Sequence, residues 1–356
     1  MKRKIILILA AAASIFAACD KNNGSAPEGP SGKNILYLLN NGSMGMNNSN
    51  IAIYDLDNKT LTADAFYAAN NFNLGDTGQD ILEYNNEIYI AVHGSKIIFV
   101  TDKNLKVKKT IEATMPSSPQ TKLSPRHLTA GYGKVYVTYY EGFLGEINTA
   151  DYAVRLTEVG PSPEGLAVCG KNVYVANSGG ANYPDYDNTL SVVDLDSFKE
   201  TRKINVNLNP EFVEVNPDET ILFVSSKGNY ADVPGTLEAI DLKNFATTNL
   251  NIDNLIWMSM GATKLYLLTG GLDENYNPLP GKVYTLDIAL SSKEPKPFVQ
   301  DDTVLEKAYS ISACRNGYVF IGSSDFQTNG DVFVFSPDGK LYDKFDSEGI
   351  NPHKII

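Results

Sequence analysis

Three imidazoles, His93, His127 and His353, are all that the 356-residue chain contains. Histidine nitrogens ligate zinc and other transition metals, and a single one can meet the metal of a bound cofactor such as cobalt. Their spacing has neither the HxH nor the HExxH form, and no carboxylate stands as a dedicated partner. Three uses stay open: a metal held by two or more of them, one imidazole touching a ligand, or plain polar residues at strand ends. Asp80, Glu164 and Glu211 form a second set, each just ahead of an apolar run. A pair of such carboxylates flanking a sugar hydrolyses a glycoside, but the same groups serve equally as solvated acceptors lining a channel. The G-x-S-x-G elbow, the Walker loop and a G-x-G-x-x-G turn between strand and helix are all missing from the sequence, as are sialidase Asp-boxes.

The third set is aromatic. Tyr183, Tyr186, Tyr230, Tyr276 and Phe326 stand in segments rich in Asn, Asp and Gly, together with Met44 and Met46. Tyrosine offers a large contact area, few rotatable bonds and a polar tip, which suits binding surfaces. The only tryptophan, Trp257, is either a stacking platform for a flat ligand or a plug. Binding is thus the expected activity, with a lactonase-, lyase- or hydrolase-like enzyme as the catalytic alternative.

What positions these residues is a repeat. Seven runs share apolar residues around one ring: ILYLLN, EIYIAV, KVYVTY, NVYVAN, ILFVSS, KLYLLT and YVFIGS. Their rings are Tyr37, Tyr89, Tyr136, Tyr174, Phe223, Tyr266 and Phe320, at intervals of 52, 47, 38, 49, 43 and 54 residues. Such a period suits a four-stranded propeller blade, and the β-branched and aromatic content excludes helical repeats. Each copy lays out as strands A to D; in the fourth these are GLAVC, NVYVAN, TLSVVDLD and ETRKINV. The first copy lacks its A strand, and the tail Asn351–Ile356 matches the lead-in segments SPRHLTA, SPEGLAV and NPEFVEV. The expected fold is therefore all-β, a seven-bladed propeller whose C-terminal strand closes the ring and removes its open edges. Aspartates ending the C strands, among them Asp194 with Asp196 behind it, are expected to cap turns rather than to bind calcium.

In this frame the B–C loops and the D-to-A connections share one face. Five B–C loops are long, and those of blades 2 and 3 are short, which predicts a basin open on one side. Lead-in segments bring an inner ring to the same face: Gln79 and Asp80, Arg126 and His127, Glu164, Glu211 and Phe212, Trp257, Tyr309, and His353. The candidate ligand-binding set is Tyr183, Tyr186, Tyr230, Trp257, Tyr276, Phe326, Arg126, His93, His127, His353, Glu164 and Phe212. No metal site is expected.

The chain opens with MKRK and a short apolar run of export-signal type, and its end Phe16-Ala17-Ala18-Cys19 resembles the bacterial lipobox, which implies a signal over residues 1–18 with Cys19 as the lipidated residue; the alternative is plain secretion with Cys19 merely near the cleavage point. Phe16 replaces the usual Leu of that motif. Residues 19–32 are expected to act as a flexible tether and residues 33–356 to form the propeller. The formal charge of −12 becomes −15 once Lys2, Arg3 and Lys4 are removed, which argues against nucleic acid as a partner. Cys169 and Cys314, three repeats apart, are expected to be small buried residues without a disulfide.

The seven copies, their P-x-x-apolar lead-ins and their h-Y-V-h strands resemble the YncE-like seven-bladed propellers of surface-layer type, over roughly residues 33–356. The lipoprotein start, the Asn/Tyr-rich loops and the acidic character resemble more narrowly the Bacteroidetes outer-membrane lipoproteins of the BtuG-like, cobalamin-capturing group. That resemblance implies a protein anchored in the outer membrane and facing outward, which captures cobalamin or a related corrinoid and passes it to a TonB-dependent transporter. It implies no prosthetic group and no catalysis. The alternative is a surface-layer or scaffold propeller that grips a protein or a glycan.

Overall fold

Short runs of Val, Ile, Tyr and Phe broken by turn residues favour strands over helices. In the computed structural model, which describes residues 34–250, 252, 254–271 and 279–356, they form seven four-stranded antiparallel sheets. The inner strands, A, are Gly78–Tyr84, Pro125–Gly131, Pro163–Cys169, Pro210–Val215, Leu255–Met260 and Ala308–Ala313 for blades 2 to 7, and Pro352–Ile355 for blade 1. The chain is a seven-bladed β-propeller.

The seven repeated rings are all buried. They stand on the second strands, B, such as Glu87–Val92 and Asn172–Asn177, in which nearly every residue is buried because a blade is covered on both faces. Apolar side chains collect in seven clusters, one in each wedge between neighbouring blades. Each fully buried Leu, Ile, Val or Phe contributes about 1.5–3 kcal/mol. The core is therefore distributed around the ring, and every blade depends on both neighbours.

Closure runs through the tail. Ile355 pairs with Leu38, Lys354 with Leu39 and Pro352 with Asn40. Tyr37 and Ile356 exchange backbone hydrogen bonds of 2.9 and 3.1 Å. At the C–D turns Asp55, Asp102, Asp194, Asp241 and Asp287 accept backbone N–H groups, for example that of Ser197 at 2.8 Å from Asp194.

Chain direction settles the two faces. The A strands begin, and the B strands end, at an upper face that carries the B–C loops and the D-to-A connections. The A–B and C–D turns form the lower face. Blade 1 starts with Ile35–Asn40 as its B strand, so Asn34 lies at the lower face.

Two elements go beyond the expected frame. A helix, Ala65–Asn70, follows blade 1 and buries Phe66 against Phe99, ring centroids 5.2 Å apart. Asn70 ties it to blade 2 by donating to the Leu105 carbonyl at 2.8 Å. A hairpin, Thr114–Met115 with Ser118–Lys122, stands in the connection between blades 2 and 3. It builds up the side of the rim where the B–C loops are short.

Candidate binding site

Every inner strand carries the same irregularity at its upper end. The A–B register slips by one residue between Gly78 and Asp80, Pro125 and Leu128, Pro163 and Leu166, Pro210 and Phe212, Leu255 and Trp257, and Ala308 and Ser310. In blade 1 the slip falls at His353, between Pro352 and Lys354. A bulge leaves one residue outside the ladder and re-aims its side chain. Repeated seven times, it sets Gln79, Arg126, Glu164, Glu211, Ile256, Tyr309 and His353 around the channel mouth. The next residues, Asp80, His127, Gly165, Phe212, Trp257, Ser310 and Lys354, form a second ring.

One side of this mouth is ionic. Arg126 donates to both Glu164 oxygens, Nε to Oε2 at 2.7 Å and Nη2 to Oε1 at 2.8 Å, and from Nη1 to Gln79 Oε1 at 2.9 Å. Three blades are thereby bridged. Burial pushes the Glu164 carboxyl up, but Arg126 and His127 outweigh it and hold the group at about 2. Asp80 is 2 % exposed and accepts from Lys354 Nζ at 2.5 Å and from the Leu128 N–H at 2.7 Å. Burial raises its pKa, yet Lys354 and His127 keep it below the ordinary aspartate value. Both carboxyls are thus held below their ordinary values by the cations beside them. Glu211 is paired with Lys227 at 2.5 Å.

The other side is aromatic. Trp257 lies against Phe212 with centroids 4.6 Å apart and meets the His353 ring edge-on at 4.9 Å. Tyr309 is 6.0 Å from Trp257, and its hydroxyl lies 3.2 Å from His353 Nδ1. Trp257 therefore packs into the mouth as part of a roof. Burial, reinforced by His127, lowers the His353 pKa to about 3, so this imidazole is neutral. Below the roof a channel of about 1000 Å³ runs down to the A–B turns of blades 2 and 7 at Asn85, Asn86, Arg315 and Asn316.

Above the roof stand the loop aromatics. Tyr183 is 73 % exposed, Tyr230 68 % and Phe326 62 %, so these rings do not pack beneath their own loops. Tyr186 links the first two, 5.9 Å from Tyr183 and 6.1 Å from Tyr230, which makes a continuous row from blade 4 to blade 5. Phe326 joins the roof through an edge contact with Tyr309 at 5.5 Å. Met44 and Met46 are exposed in the blade 1 loop.

Among the twelve sequence-derived candidates, Arg126, Glu164, His127, Phe212, Trp257 and His353 come together at the mouth, and Tyr183, Tyr186, Tyr230 and Phe326 crown it. His93 stands apart: its Nδ1 lies 3.3 Å from the Pro125 carbonyl and its ring meets the Tyr140 ring at 5.9 Å. Burial, with Arg126 nearby, lowers its pKa. Among the described residues no three His, Cys, Asp or Glu side chains gather at metal-ligating distance. Tyr276, Cys19, the signal over residues 1–18 and the tether over 19–32 lie outside the described residues. Cys169 and Cys314 are free thiols. Lys354, Lys227 and Glu214 were missed. For Lys354 the signal was available, since aligning the lead-in segments puts it in the same column as Asp80 and Trp257.

No protein-family profile and no curated protein sequence matches the chain. Among solved structures it is similar to the Kuenenia stuttgartiensis hydrazine synthase, at 15 % identity and a TM-score of 0.57, with 71 % of this chain and 74 % of that one covered. It is also similar to the computationally designed Ika8 protein, at 11 % identity and a TM-score of 0.55, with 91 % and 90 % covered. In all, 1220 chains match, so the architecture is shared too widely to select an activity. What the likeness establishes is the propeller fold.

Proposed function

We propose that this protein is a lipid-anchored binding protein of the outer-membrane surface that captures a corrinoid such as cobalamin on its upper face and passes it to a TonB-dependent transporter. The row of exposed rings over a closed mouth carries this reading. A roofed mouth leaves a shallow basin rather than a deep cleft, which fits a wide, partly apolar ligand approached from one side. Three rings that each lose about 130 Å² on contact yield roughly 10 kcal/mol gross at about 25 cal/mol per Å². Association costs at least about 4 kcal/mol, leaving a dissociation constant of tens of micromolar before hydrogen bonds to ligand amides are counted. The position of Asn34 at the lower face, opposite the loops, supports the same reading. The YncE-like and BtuG-like resemblance of the repeats supplies the ligand class.

Titration with cyanocobalamin, followed by absorbance, tests it. Saturable binding at micromolar ligand is expected, weakened about tenfold or more by Tyr183→Ala or Tyr230→Ala. Tyr132, exposed on the lower A–B turn of blade 3, is the control, and Tyr132→Ala should change nothing. Absence of binding, or loss only with the Tyr132 variant, overturns the assignment.

A further inference from the structure

The channel beneath the roof is not used by the loop-face reading. Its charges are unevenly matched. Asp80 is occupied by Lys354 at 2.5 Å, with His127 Nδ1 at 3.7 Å. Glu214, two residues along the strand from Phe212, lines the same channel, yet it makes no salt bridge with any described residue. The backbone N–H of Met260 approaches its carboxyl, and Lys354 and Asp80 act on it only from a distance. Ser259 and Ser312, which also line the space, donate no hydrogen bond to it; Ser259 Oγ accepts from the Ala313 N–H at 3.0 Å and Ser312 Oγ from that of Ile355 at 3.0 Å. A carboxylate inside a protein without a counter-ion is costly, and burial raises this one to about 7. Phe212 and Trp257, in contact with each other, line the same space as Glu214, and aromatic rings attract cations.

We propose that the channel is a second ligand site, open to the lower face, for an organic ammonium compound whose nitrogen pairs with Glu214 while its carbon skeleton packs beneath Trp257 and Phe212. A cation is favoured over an anion beside Glu214 because Lys354 is already committed to Asp80, His353 is neutral, and Arg315, which also lines the space, is exposed at its lower end. The volume of about 1000 Å³ is at the upper end for small-molecule sites, so ligands larger than a simple amine fit.

Trp257 is the only tryptophan, and its fluorescence reports on the roof directly. The full chain is titrated with choline in mildly alkaline buffer, where Glu214 is ionised, and with 3,3-dimethylbutan-1-ol, the uncharged isostere. A saturable change is expected with choline, and binding about tenfold or more weaker with the alcohol and in Glu214→Gln. Choline affinity should fall as pH drops through about 7, because protonation removes the partner of the cation. Glu214→Gln mimics the neutral carboxyl and should melt like the parent; if it does not fold, the comparison of choline with its isostere on the parent still decides. No saturable change, equal binding of the isostere, or unchanged affinity in a folded Glu214→Gln overturns the proposal. So does loss of the choline response in Tyr183→Ala, which would place the cation on the loop face.

Discussion

Replacing Asp80 by alanine tests whether an ion pair fastens the closing strand. Lys354 belongs to Pro352–Ile355, the strand that completes blade 1, while Asp80 belongs to blade 2. The substitution strands the Lys354 ammonium and removes the acceptor of the Leu128 N–H. Breaking a buried pair costs about 3–5 kcal/mol. The Lys354 side chain is 34 % exposed and can turn toward water, which favours the low end for that part. An orphaned backbone N–H adds about 1 kcal/mol or more, so a loss near 4 kcal/mol is expected at neutral pH. Urea unfolding measures it, with Trp257 fluorescence and far-UV circular dichroism required to coincide before a free energy is extracted. Because the folded pKa of Asp80 is depressed, its stabilisation is fully present above the unfolded value of about 3.9 and disappears as pH falls through the folded value. The deficit should therefore be constant near neutrality and shrink in acid. Adding Lys354→Met to the alanine variant should cost less than Lys354→Met alone, with a coupling of about 1–2 kcal/mol. A deficit below about 1 kcal/mol, or one that persists unchanged in strong acid, would refute the reasoning.

Arg126→Ala should destabilise by about 3–5 kcal/mol at neutral pH and let burial drive the Glu164 carboxyl up from about 2. Carboxyl-carbon NMR through a pH series follows it, and a Glu164 that still titrates near its parent value contradicts the ionic account. Gly165→Ala puts a Cβ 2.4 Å from the Glu211 carbonyl oxygen and 2.9 Å from Phe212 Cα, both backbone atoms of the next inner strand. Overpacking of that kind costs about 1–3 kcal/mol, so the urea midpoint should drop; an unmoved midpoint would mean that the two strands separate freely.

The ring of blades was legible because each copy repeats one physical requirement. A strand covered on both sides must be apolar throughout, and Tyr37, Tyr89, Tyr136, Tyr174, Phe223, Tyr266 and Phe320 are buried accordingly. The tail was legible for the same reason, since Pro352 to Ile355 repeats the lead-in pattern. The helix Ala65–Asn70 was not, because six residues show too little periodicity to separate helix from loop. Glu214 escaped notice because FVEVN looks like any alternating strand, and its isolation arises from groups on other blades. Trp257 reads from the sequence as a stacking platform or a plug, and its packing against Phe212 and His353 makes it part of the roof. The bulges have no signature in the sequence, although the lead-in segments themselves mark the residues they display as a ring.

Those seven bulges divide the labour of each inner strand. A residue left out of the ladder has no cross-strand partner, and its identity is released from the alternation that governs its neighbours. Glutamine, arginine, two glutamates, isoleucine, tyrosine and histidine accordingly occupy equivalent places without altering the blade beneath. For an engineer the mouth is a seven-letter word, one letter per blade, that can be rewritten without disturbing the ladder, provided that ion-paired letters such as Arg126 and Glu164 are changed together. For evolution the same feature lets a single scaffold drift from one ligand to another by changing letters at the rim, with wedge packing untouched.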